Sequence, residues 1–346
     1  MHASRSDLLR QSGVARRSAG PPERTTLGWV QRSRRGGLLA GIGSSWLAAA
    51  LLSATCGCDG VQEPAPGPAP HLRVETLDGG VLELSAPARR IVPTNSSAVD
   101  FLLALIGPER LAALPAQAFT YSLLDPRLAD WDRSRTFHTY RAEDVLSLDP
   151  DLVVTHAWQS PDTTALLREA GVAVVRIPTV RAFEDVLDTV SFLGRALEVP
   201  RRAARFRGEL ERRRDALAAA DRPPLRVLSY TNIGVGGWTA GTGTTAHLVI
   251  ELAGLVNAAA EDGGHSHYRL DIERLLELDP DLIVVGVGDE VMSPAARYLR
   301  SEPAFRHLKA LRTERVVELS VELFSTNSHH LLTAAERLAA YVDALD

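Results

Sequence analysis

Short runs of β-branched residues alternate with helical patterns along most of the chain. "DLVVTHA" at 151–157 and "DLIVVGV" at 281–287 are two of these runs, and "DTTALLREAG" at 162–171 is one of the helical segments. Apolar runs of this length, separated by helices, are typical of buried strands in a parallel sheet that helices cover on both faces. The pattern therefore predicts an α/β fold.

Local signals mark where several of these elements begin and end. "LRVETLDGGVLEL" at 72–84 alternates around a central Asp-Gly-Gly, which predicts a β-hairpin. In "RIVPTNSSAVDFLLALIG", Asn95 or Ser96 is a candidate N-cap for a helix. Gly254 is expected to close the helix in "TTAHLVIELAG".

The alternation occurs twice, on either side of a long helical stretch at 181–220. Pro200 divides this stretch and is expected in the first turn of its second helix. The many charges of that second helix are interpreted as a solvated face. The sequence therefore predicts two similar α/β lobes joined by a helical connector.

One motif appears once in each half of the chain. "EDVLSLDPDLVV" begins at Glu143 and "ERLLELDPDLIVV" begins at Glu273. Each reads as a helix, an Asp-Pro-Asp turn and a buried strand, so the repeat supports the prediction of two related lobes.

The N-terminus has the pattern of an export signal. Three arginines precede the apolar stretch "GGLLAGIGSSWLAAALLSA" at 36–54, which ends in small residues before Cys56 and Cys58. A cysteine at this point resembles a bacterial lipobox, which implies a lipid anchor on Cys56 or Cys58. An uncleaved membrane anchor is the alternative. The Pro-rich segment at 59–70 predicts an extended tether, so the folded part is expected in the periplasm or at the cell surface.

The predicted organisation has five parts. They are an extension with a signal peptide (1–58), a Pro-rich linker (59–70), an N-terminal lobe (71–181), a helical connector (182–221) and a C-terminal lobe (222–346).

Composition and motifs exclude several classes of function. The net charge of −5 argues against nucleic-acid binding, which needs a basic surface. The cysteine pair is confined to the N-terminal segment, so the folded part has no disulfide or thiolate chemistry. "GVGGWTAGTG" fails the dinucleotide-binding spacing because Thr239 occupies the place of the third glycine. The chain also lacks H-E-x-x-H, G-x-S-x-G and P-loop motifs, so we expect no enzyme and no resident cofactor.

From about His71 to the C-terminus, the sequence resembles the solute-binding proteins of ABC importers for iron–siderophore complexes, haem and cobalamin. The resemblance rests on the two repeated segments and on "PARRIVPTNSSAVDFLLALIG", "GTTAHLVIELAGLVNAA" and "FSTNSHHLLTAAERLA". It implies two Rossmann-like lobes with parallel sheets, joined by one long helix, with the ligand in the cleft between them. It also implies a monomer that delivers its ligand to a permease dimer.

The same resemblance implies a docking role for two glutamates. In this family each lobe presents an exposed Glu near the start of the helix before the Pro-Asp motif, and the pair docks on arginines of the permease. Glu143 and Glu273 each lie seven residues before the proline of their motif, Pro150 or Pro280, and so match that spacing. Two like charges, one per lobe, would suit a two-fold partner. The alternative is that each glutamate only stabilises its helix dipole.

Ligands of doubly wound sheets bind beyond the carboxyl ends of the strands, so the loops that follow the strands are the candidate site. These loops and two inter-element segments, 118–122 and 263–269, are rich in histidine and aromatic residues, which suit a flat macrocycle or an aryl chelate. The candidate ligand-binding residues are Asn95, Tyr121, Tyr140, His156, Trp158, Tyr230, Trp238, His267, Tyr268, Phe324 and His329.

The sequence is compatible with several ligands and with one other function. A ferric siderophore ranks first, followed by haem and then cobalamin. A bare transition-metal ion ranks last, with His156, His265, His267 and His329 as its candidate ligands. Each of these histidines could instead serve only as a cap or a hydrogen-bonding group. A sensory or partner-binding module on the same fold is the alternative to transport.

Overall fold

The computed structural model describes residues 69–123, 126–232 and 236–345, and these form one compact unit. The predicted signal, both cysteines and nearly all of the linker lie outside the described residues. Within the described part, no helix is both long enough and apolar enough to span a bilayer.

The N-terminal lobe is built on parallel strands. It contains β1 (Leu72–Glu75), β2 (Val81–Leu84), β3 (Ile91–Pro93), β4 (Leu114–Pro115), β5 (Thr136–Phe137), β6 (Leu152–His156) and β7 (Ala173–Ile177). Its helices are α1 (Ser96–Leu105), α2 (Ala118–Tyr121), α3 (Ala142–Leu146) and α4 (Pro161–Glu169). The central sheet has the order β3-β6-β7, β4 pairs with β5, and all of these pairs are parallel. The predicted hairpin is confirmed, since β1 and β2 pair antiparallel.

The C-terminal lobe is also built on a parallel sheet and has a three-stranded antiparallel sheet beside it. Its strands are β8 (Arg226–Ser229), β9 (Thr231–Asn232), β10 (Gly237–Ala240), β11 (Val256–Asn257), β12 (His267–Leu270), β13 (Leu282–Val287) and β14 (Val316–Ser320). The order β11-β8-β13-β14 is parallel throughout, whereas β12-β10-β9 is antiparallel. The helices are α7 (Thr245–Leu252), α8 (Ala258–Glu261), α9 (Ile272–Leu278), α10 (Pro294–Ser301), α11 (Lys309–Arg312), α12 (Val321–Phe324) and α13 (His330–Asp343).

Two antiparallel helices form the connector, α5 (Phe183–Ala196) and α6 (Pro200–Ala218). As predicted, Pro200 is in the first turn of the second helix, where its missing N–H costs nothing. The helices approach closely at Gly194, because a Cβ on this glycine would lie 2.2 Å from the Cβ of Ala203. With 19 residues, α6 is about 28 Å long, and it contacts α1 of the N-terminal lobe and two helices of the C-terminal lobe, α7 and α13.

A single apolar core extends through both lobes. It includes Phe101 of α1, Leu193 of α5, Leu210 of α6, Val249 of α7 and Leu338 of α13. Smaller clusters cover the other face of each sheet, around Val153 in the N-terminal lobe and around Ile283 in the C-terminal lobe. Both parallel sheets are therefore covered on both faces, as their apolar strands predict.

The two repeated motifs have the same local structure. In the N-terminal lobe, the Asp151 carboxylate accepts a hydrogen bond from the Arg90 N–H at 2.9 Å, and the Arg90 guanidinium reaches the Leu148 carbonyl at 2.6 Å. In the C-terminal lobe, Asp281 accepts from the Arg226 N–H at 2.9 Å. The Arg226 guanidinium donates to the Leu278 carbonyl at 2.7 Å. In each lobe these Asp and Arg hydrogen bonds join the residues at the end of α3 or α9 to the first strand of the parallel sheet.

Two segments expected between elements are themselves regular structure. Residues 118–121 form α2, and residues 267–270 form β12, which pairs with β10. Both are too short to give a periodic sequence signal, and β12 exists because its partner strand satisfies its backbone hydrogen bonds.

Candidate functional site

A cavity of about 540 Å³ opens at the carboxyl ends of the C-terminal strands, where the end of the N-terminal lobe meets them. The N-terminal lobe contributes residues 179–181, which follow β7. The C-terminal lobe contributes Ser229 and Thr231, Thr239 and Ala240, residues 243–246, Ser266 and His267, and Phe324, Ser325 and Asn327. This position agrees with the general rule for ligands of doubly wound sheets.

The cavity wall is polar and carries no negative charge among its described residues. Half of the lining residues are serine or threonine, and Arg181 and His267 are the ones that can carry a positive charge. Arg181 is exposed and makes no ion pair among the described residues. The wall thus offers hydrogen-bond donors and a cation to whatever occupies the cavity.

The start of α7 forms one side of the cavity. Thr244 is the N-cap, and its hydroxyl accepts from the His247 N–H at 3.2 Å and donates to the Gly241 carbonyl at 2.8 Å. Gly241 permits this turn, because a Cβ there would lie 2.1 Å from the carbonyl oxygen of Gly264. The backbone N–H groups of Thr245 and Ala246 belong to the first turn, which has no intrahelical acceptor for them.

Thr239 lies in β10 beside this turn. It is 2% exposed and lines the cavity, and its hydroxyl has no hydrogen-bond partner. An unsatisfied buried hydroxyl is uncommon, because burial without a partner costs about 1–3 kcal/mol. The residue borders the cavity, although the oxygen itself is shielded from solvent in the observed conformation.

Two of the predicted ligand-binding residues line this cavity, His267 and Phe324. His267 is exposed at the start of β12, and Phe324 ends α12. Phe324 packs over Gly286 of β13, where a Cβ would lie 2.8 Å from the ring. The glycine therefore sets how deeply the phenylalanine ring can sit.

His156 and Trp158 form a pair at the carboxyl end of β6. Their ring centroids are 5.2 Å apart, and Trp158 is 57% exposed whereas His156 is buried. Burial, together with repulsion from Arg176, lowers the pKa of His156 to about 4, so the ring is neutral at pH 7. Its Nε2 is buried without a hydrogen-bond partner. The pair lies outside the described cavity wall.

Asn95 is fully buried and serves as the predicted N-cap of α1. Its side chain accepts from the Ala98 N–H at 2.9 Å and donates to Gln159 at 2.8 Å. Gln159 also donates to the Thr94 carbonyl at 3.1 Å and accepts from the Thr155 hydroxyl at 2.9 Å. This buried network joins the ends of β3 and β6 and leaves Asn95 with an architectural role.

The predicted tyrosines and Trp238 are dispersed. Tyr121 is exposed on α2, and Tyr140 bonds to the Thr164 hydroxyl at 3.0 Å. Tyr230 is buried in the C-terminal core, where burial raises its pKa, and Tyr268 packs against the same core. Trp238 lies in β10 and is 36% exposed. Whether any of these residues contacts a ligand stays a prediction.

His329 lies in the apolar packing at the start of α13. Its ring centroid is 4.9 Å from that of Phe206 and 5.7 Å from that of Phe101. Burial holds its pKa well below the usual range, and its Nδ1 has no partner. The surrounding side chains make it a packing residue between α1, α6 and α13.

The four candidate metal ligands do not converge. His265 bonds through Nδ1 to the Thr242 hydroxyl at 2.7 Å, while His156 and His329 are buried in different lobes. Across the described part of the chain, no three His, Cys, Asp or Glu side chains come together as a metal site would require.

Glu143 and Glu273 occupy equivalent places in the two lobes. Each is exposed in the first turn of its helix, α3 or α9, and neither carboxylate has an ion-pair or hydrogen-bond partner among the described residues. At the C-terminal end of each helix, an arginine side chain, Arg90 or Arg226, donates to a backbone carbonyl. Both carboxylates are therefore exposed and unpaired within the described part of the chain.

Sequence reasoning missed most of the cavity wall. Arg181 is one arginine among many, and Thr239, Thr244 and Thr245 belong to a residue type that is common in any loop. The one usable signal was "TAGTGTTAH", a Gly-rich turn with a threonine N-cap at the start of a helix, which exposes backbone N–H groups.

Comparison with known proteins identifies the family. The profile of the periplasmic binding protein family matches residues 91–323, so this chain belongs to that family. The predicted relationship and the two-lobed α/β fold are confirmed. The family consists of solute-binding proteins, and its members act outside the cytoplasm.

Individual relatives agree with this assignment. A cobalamin-binding protein of Halobacterium salinarum is 30% identical over 200 residues, covering 57% of this chain and 52% of that protein. The chain thus spans about half the length of this curated relative. The apo periplasmic haem-binding protein RhuT from Roseiflexus sp. RS-1 superposes with a TM-score of 0.63 at 25% identity, covering 75% of this chain and all of that structure. The haem-binding protein HutB of Vibrio cholerae has a TM-score of 0.64 at 22% identity, covering 73% of this chain and 98% of that structure.

Proposed function

We propose that this protein is an extracytoplasmic solute-binding lipoprotein that captures a metal chelate and delivers it to an ABC permease. The chelate is a haem, a corrinoid or a ferric siderophore. The observation that carries this proposal is the polar cavity at the carboxyl ends of the strands, in a chain related to a cobalamin-binding protein and similar in fold to haem-binding proteins. Its volume is within the range of small-molecule sites, about 300–1,000 Å³.

Ligand identity is tested with the purified domain from Asp59 onward. Haemin, cyanocobalamin and a ferric catecholate are titrated separately, with visible absorbance and tryptophan fluorescence as readouts. Trp158 and Trp238 are partly exposed and can report binding by quenching. We expect saturable binding of at least one chelate in the micromolar range or tighter. Absence of saturation with all three would contradict the proposal.

Delivery is tested through the two docking glutamates. Opposite charges should steer Glu143 and Glu273 onto arginines of a permease dimer. Arginine at both positions (E143R/E273R) is expected to abolish uptake of the bound chelate and leave its affinity for the protein unchanged. E169R/E314R is a matched control, because these residues are also exposed, one per lobe, and should leave uptake intact. Normal uptake by E143R/E273R would refute the docking role.

Membrane attachment is tested at the N-terminus. Cys56→Ala and Cys58→Ala, made separately in the full chain, are followed by incorporation of a palmitate analogue and by membrane fractionation. One of the two substitutions should abolish labelling and release the protein. Labelling that persists in the double variant would exclude lipidation at these cysteines.

A further inference from the structure

The cavity has a charge opposite to that of the protein as a whole. The chain carries a net charge of −5, yet no Asp or Glu stands among the described residues that line the cavity, and Arg181 does. The nearby Asp185 carboxylate accepts from the backbone N–H groups of Arg181 and Ala182 at 2.7 and 2.9 Å, and among the described residues it makes no ion pair with the Arg181 guanidinium. The Arg181 guanidinium is therefore available to a solute.

Directed donors add to this charge. The first turn of α7 lines the cavity, and the N–H groups of Thr245 and Ala246 have no acceptor among the described residues. Thr244 caps only the third N–H of the turn, that of His247. Free N–H groups at the positive end of a helix dipole stabilise an anion.

The buried hydroxyl of Thr239 is an independent indication of a ligand. It belongs to a different element, β10, and the residue borders the same cavity, but its unpaired oxygen is shielded from solvent, so a rotation about the Cα–Cβ bond has to turn it toward the solute. A hydroxyl can donate to an oxyanion, which would remove the cost of leaving it unpaired.

We propose that the cavity holds an anionic group of the solute, a carboxylate or a phosphate, against the first turn of α7, with Arg181 as its counter-ion and Thr239 as a further donor. This inference rests on the proposed solute-binding function and narrows it to solutes that carry such a group. Carboxylates on the rim of a tetrapyrrole and the phosphate of a corrinoid nucleotide loop share this chemistry, as does a free oxyanion.

The anion site is tested first with inorganic phosphate alone, which does not require the solute to be known. Its dissociation constant is measured from the thermal shift of the domain at constant ionic strength, with chloride as the balancing anion. Arg181→Gln should weaken phosphate binding about tenfold or more, because it removes a charge-assisted hydrogen bond. Arg205→Gln, an exposed arginine on α6 outside the cavity, is the control and should bind as the wild type does. Equal phosphate affinity in R181Q and R205Q would overturn the proposal.

Thr245→Pro removes one backbone donor while keeping the helix. Proline is favoured at the first helical position, and Thr244, with φ −113° and ψ 156°, has the extended backbone that a residue before proline requires. Thr245→Ala loses the same hydroxyl but retains the N–H. We expect T245P to bind phosphate at least about threefold more weakly than T245A, as loss of one hydrogen bond implies. Equal affinities, with unchanged circular dichroism, would exclude the helix N-terminus as part of the site.

Paired macrocycles then separate this inference from the proposed function. Haemin is compared with its dimethyl ester, and cyanocobalamin with dicyanocobinamide, which lacks the nucleotide phosphate. The member with the anionic group should bind about tenfold more tightly, and R181Q should remove the difference. Equal binding within both pairs would refute the anion site and leave the proposed function standing. Phosphate binding that depends on Arg181, without binding of any chelate, would support the anion site and refute the proposed function.

Discussion

The Asp100 carboxylate accepts a 2.8 Å hydrogen bond from the Ser328 hydroxyl, and this bond joins α1 of the N-terminal lobe to the segment before α13 of the C-terminal lobe. Ser122, which follows α2, donates to the other carboxylate oxygen. The His330 Nε2 lies 3.9 Å from the same carboxyl group. A buried acid thus ties the two lobes together beside the connector helices.

Asp100 gives the protein a distinct pH dependence. Burial raises its pKa to about 7, although the two hydroxyl donors oppose this shift. Because the folded state favours the protonated acid, the contribution of Asp100 to stability is greatest below its ordinary pKa of about 4 and is lost as the pH rises to about 7. Asp100→Asn removes this loss because an amide does not titrate, and the amide oxygen can still accept from Ser328.

We therefore expect D100N to gain stability relative to the wild type as the pH rises from about 4 to 7. The melting temperature of both proteins is measured across this range. Burial lowers the pKa of His330 to about 4, and its contribution has the opposite slope, being lost as the pH falls below about 6.5. A constant difference between the two melting curves would contradict the assignment to Asp100.

The His156 ring provides a second pH test, with the opposite sign. Its folded pKa of about 4 lies below the ordinary value of 6.5, so its contribution to stability is present at neutral pH and is lost as the pH falls through this window. His156→Gln keeps a polar side chain that does not titrate. The wild type should lose stability relative to H156Q between pH 6.5 and 4, as followed by urea unfolding. Parallel pH profiles would show that His156 does not titrate in this way.

The repeated Asp-Pro-Asp turn has equivalent backbones but different side-chain contacts. Asp149, in the turn after α3, and Asp279, which ends α9, are both in the left-handed region, with φ 49° and 37°. The Asp149 side chain is 94% exposed, whereas Asp279 accepts from the Lys309 N–H at 2.8 Å and so caps α11. Identical sequence motifs thus perform the same backbone task, and only one of them supports a second helix.

Glycine at these two positions should have different effects. Glycine adopts a left-handed conformation without strain, which offsets its greater freedom in the unfolded chain. Asp149→Gly is therefore expected to change the free energy of unfolding by less than about 0.5 kcal/mol. Asp279→Gly should lower it by about 1 kcal/mol, because the Lys309 N–H loses its acceptor. Chemical denaturation of both variants measures the contrast, and equal effects would exclude the capping role of Asp279.

The sequence predicted the parts of the fold that local chemistry determines. Asn95 caps α1, the Asp-Gly-Gly turn forms the β1–β2 hairpin, and Gly254 ends α7 with φ 75°. The sheet β12-β10-β9 escaped prediction, because strands of two to four residues in a Gly-rich region exist only through their pairing across the lobe. No short stretch of the sequence predicts this strand pairing.

The candidate site was harder to predict than the fold. The predicted ligand-binding residues belong to rare types, and two of them, His329 and Tyr230, are buried in apolar packing. Half of the residues in the cavity wall are serines and threonines, whose roles depend on which hydroxyls remain unpaired after folding. Thr239 is recognisable as unusual only once its neighbours are known.

The contact between Gly194 and Ala203 provides a test of the connector. A Cβ at position 194 would lie 2.2 Å from the Ala203 Cβ, so Gly194→Ala must push α5 and α6 apart. Alanine has the better helix propensity, which by itself would stabilise α5 by about 1 kcal/mol. Overpacking of a buried contact costs about 1–3 kcal/mol, so we expect a net loss of stability. Gly208→Ala on α6 is the control, because a Cβ there would meet nothing closer than 3.7 Å, the tip of the flexible Arg212 side chain, and propensity should then dominate. Urea unfolding of both variants should give opposite signs, and stabilisation by G194A would show that the two helices do not pack this closely.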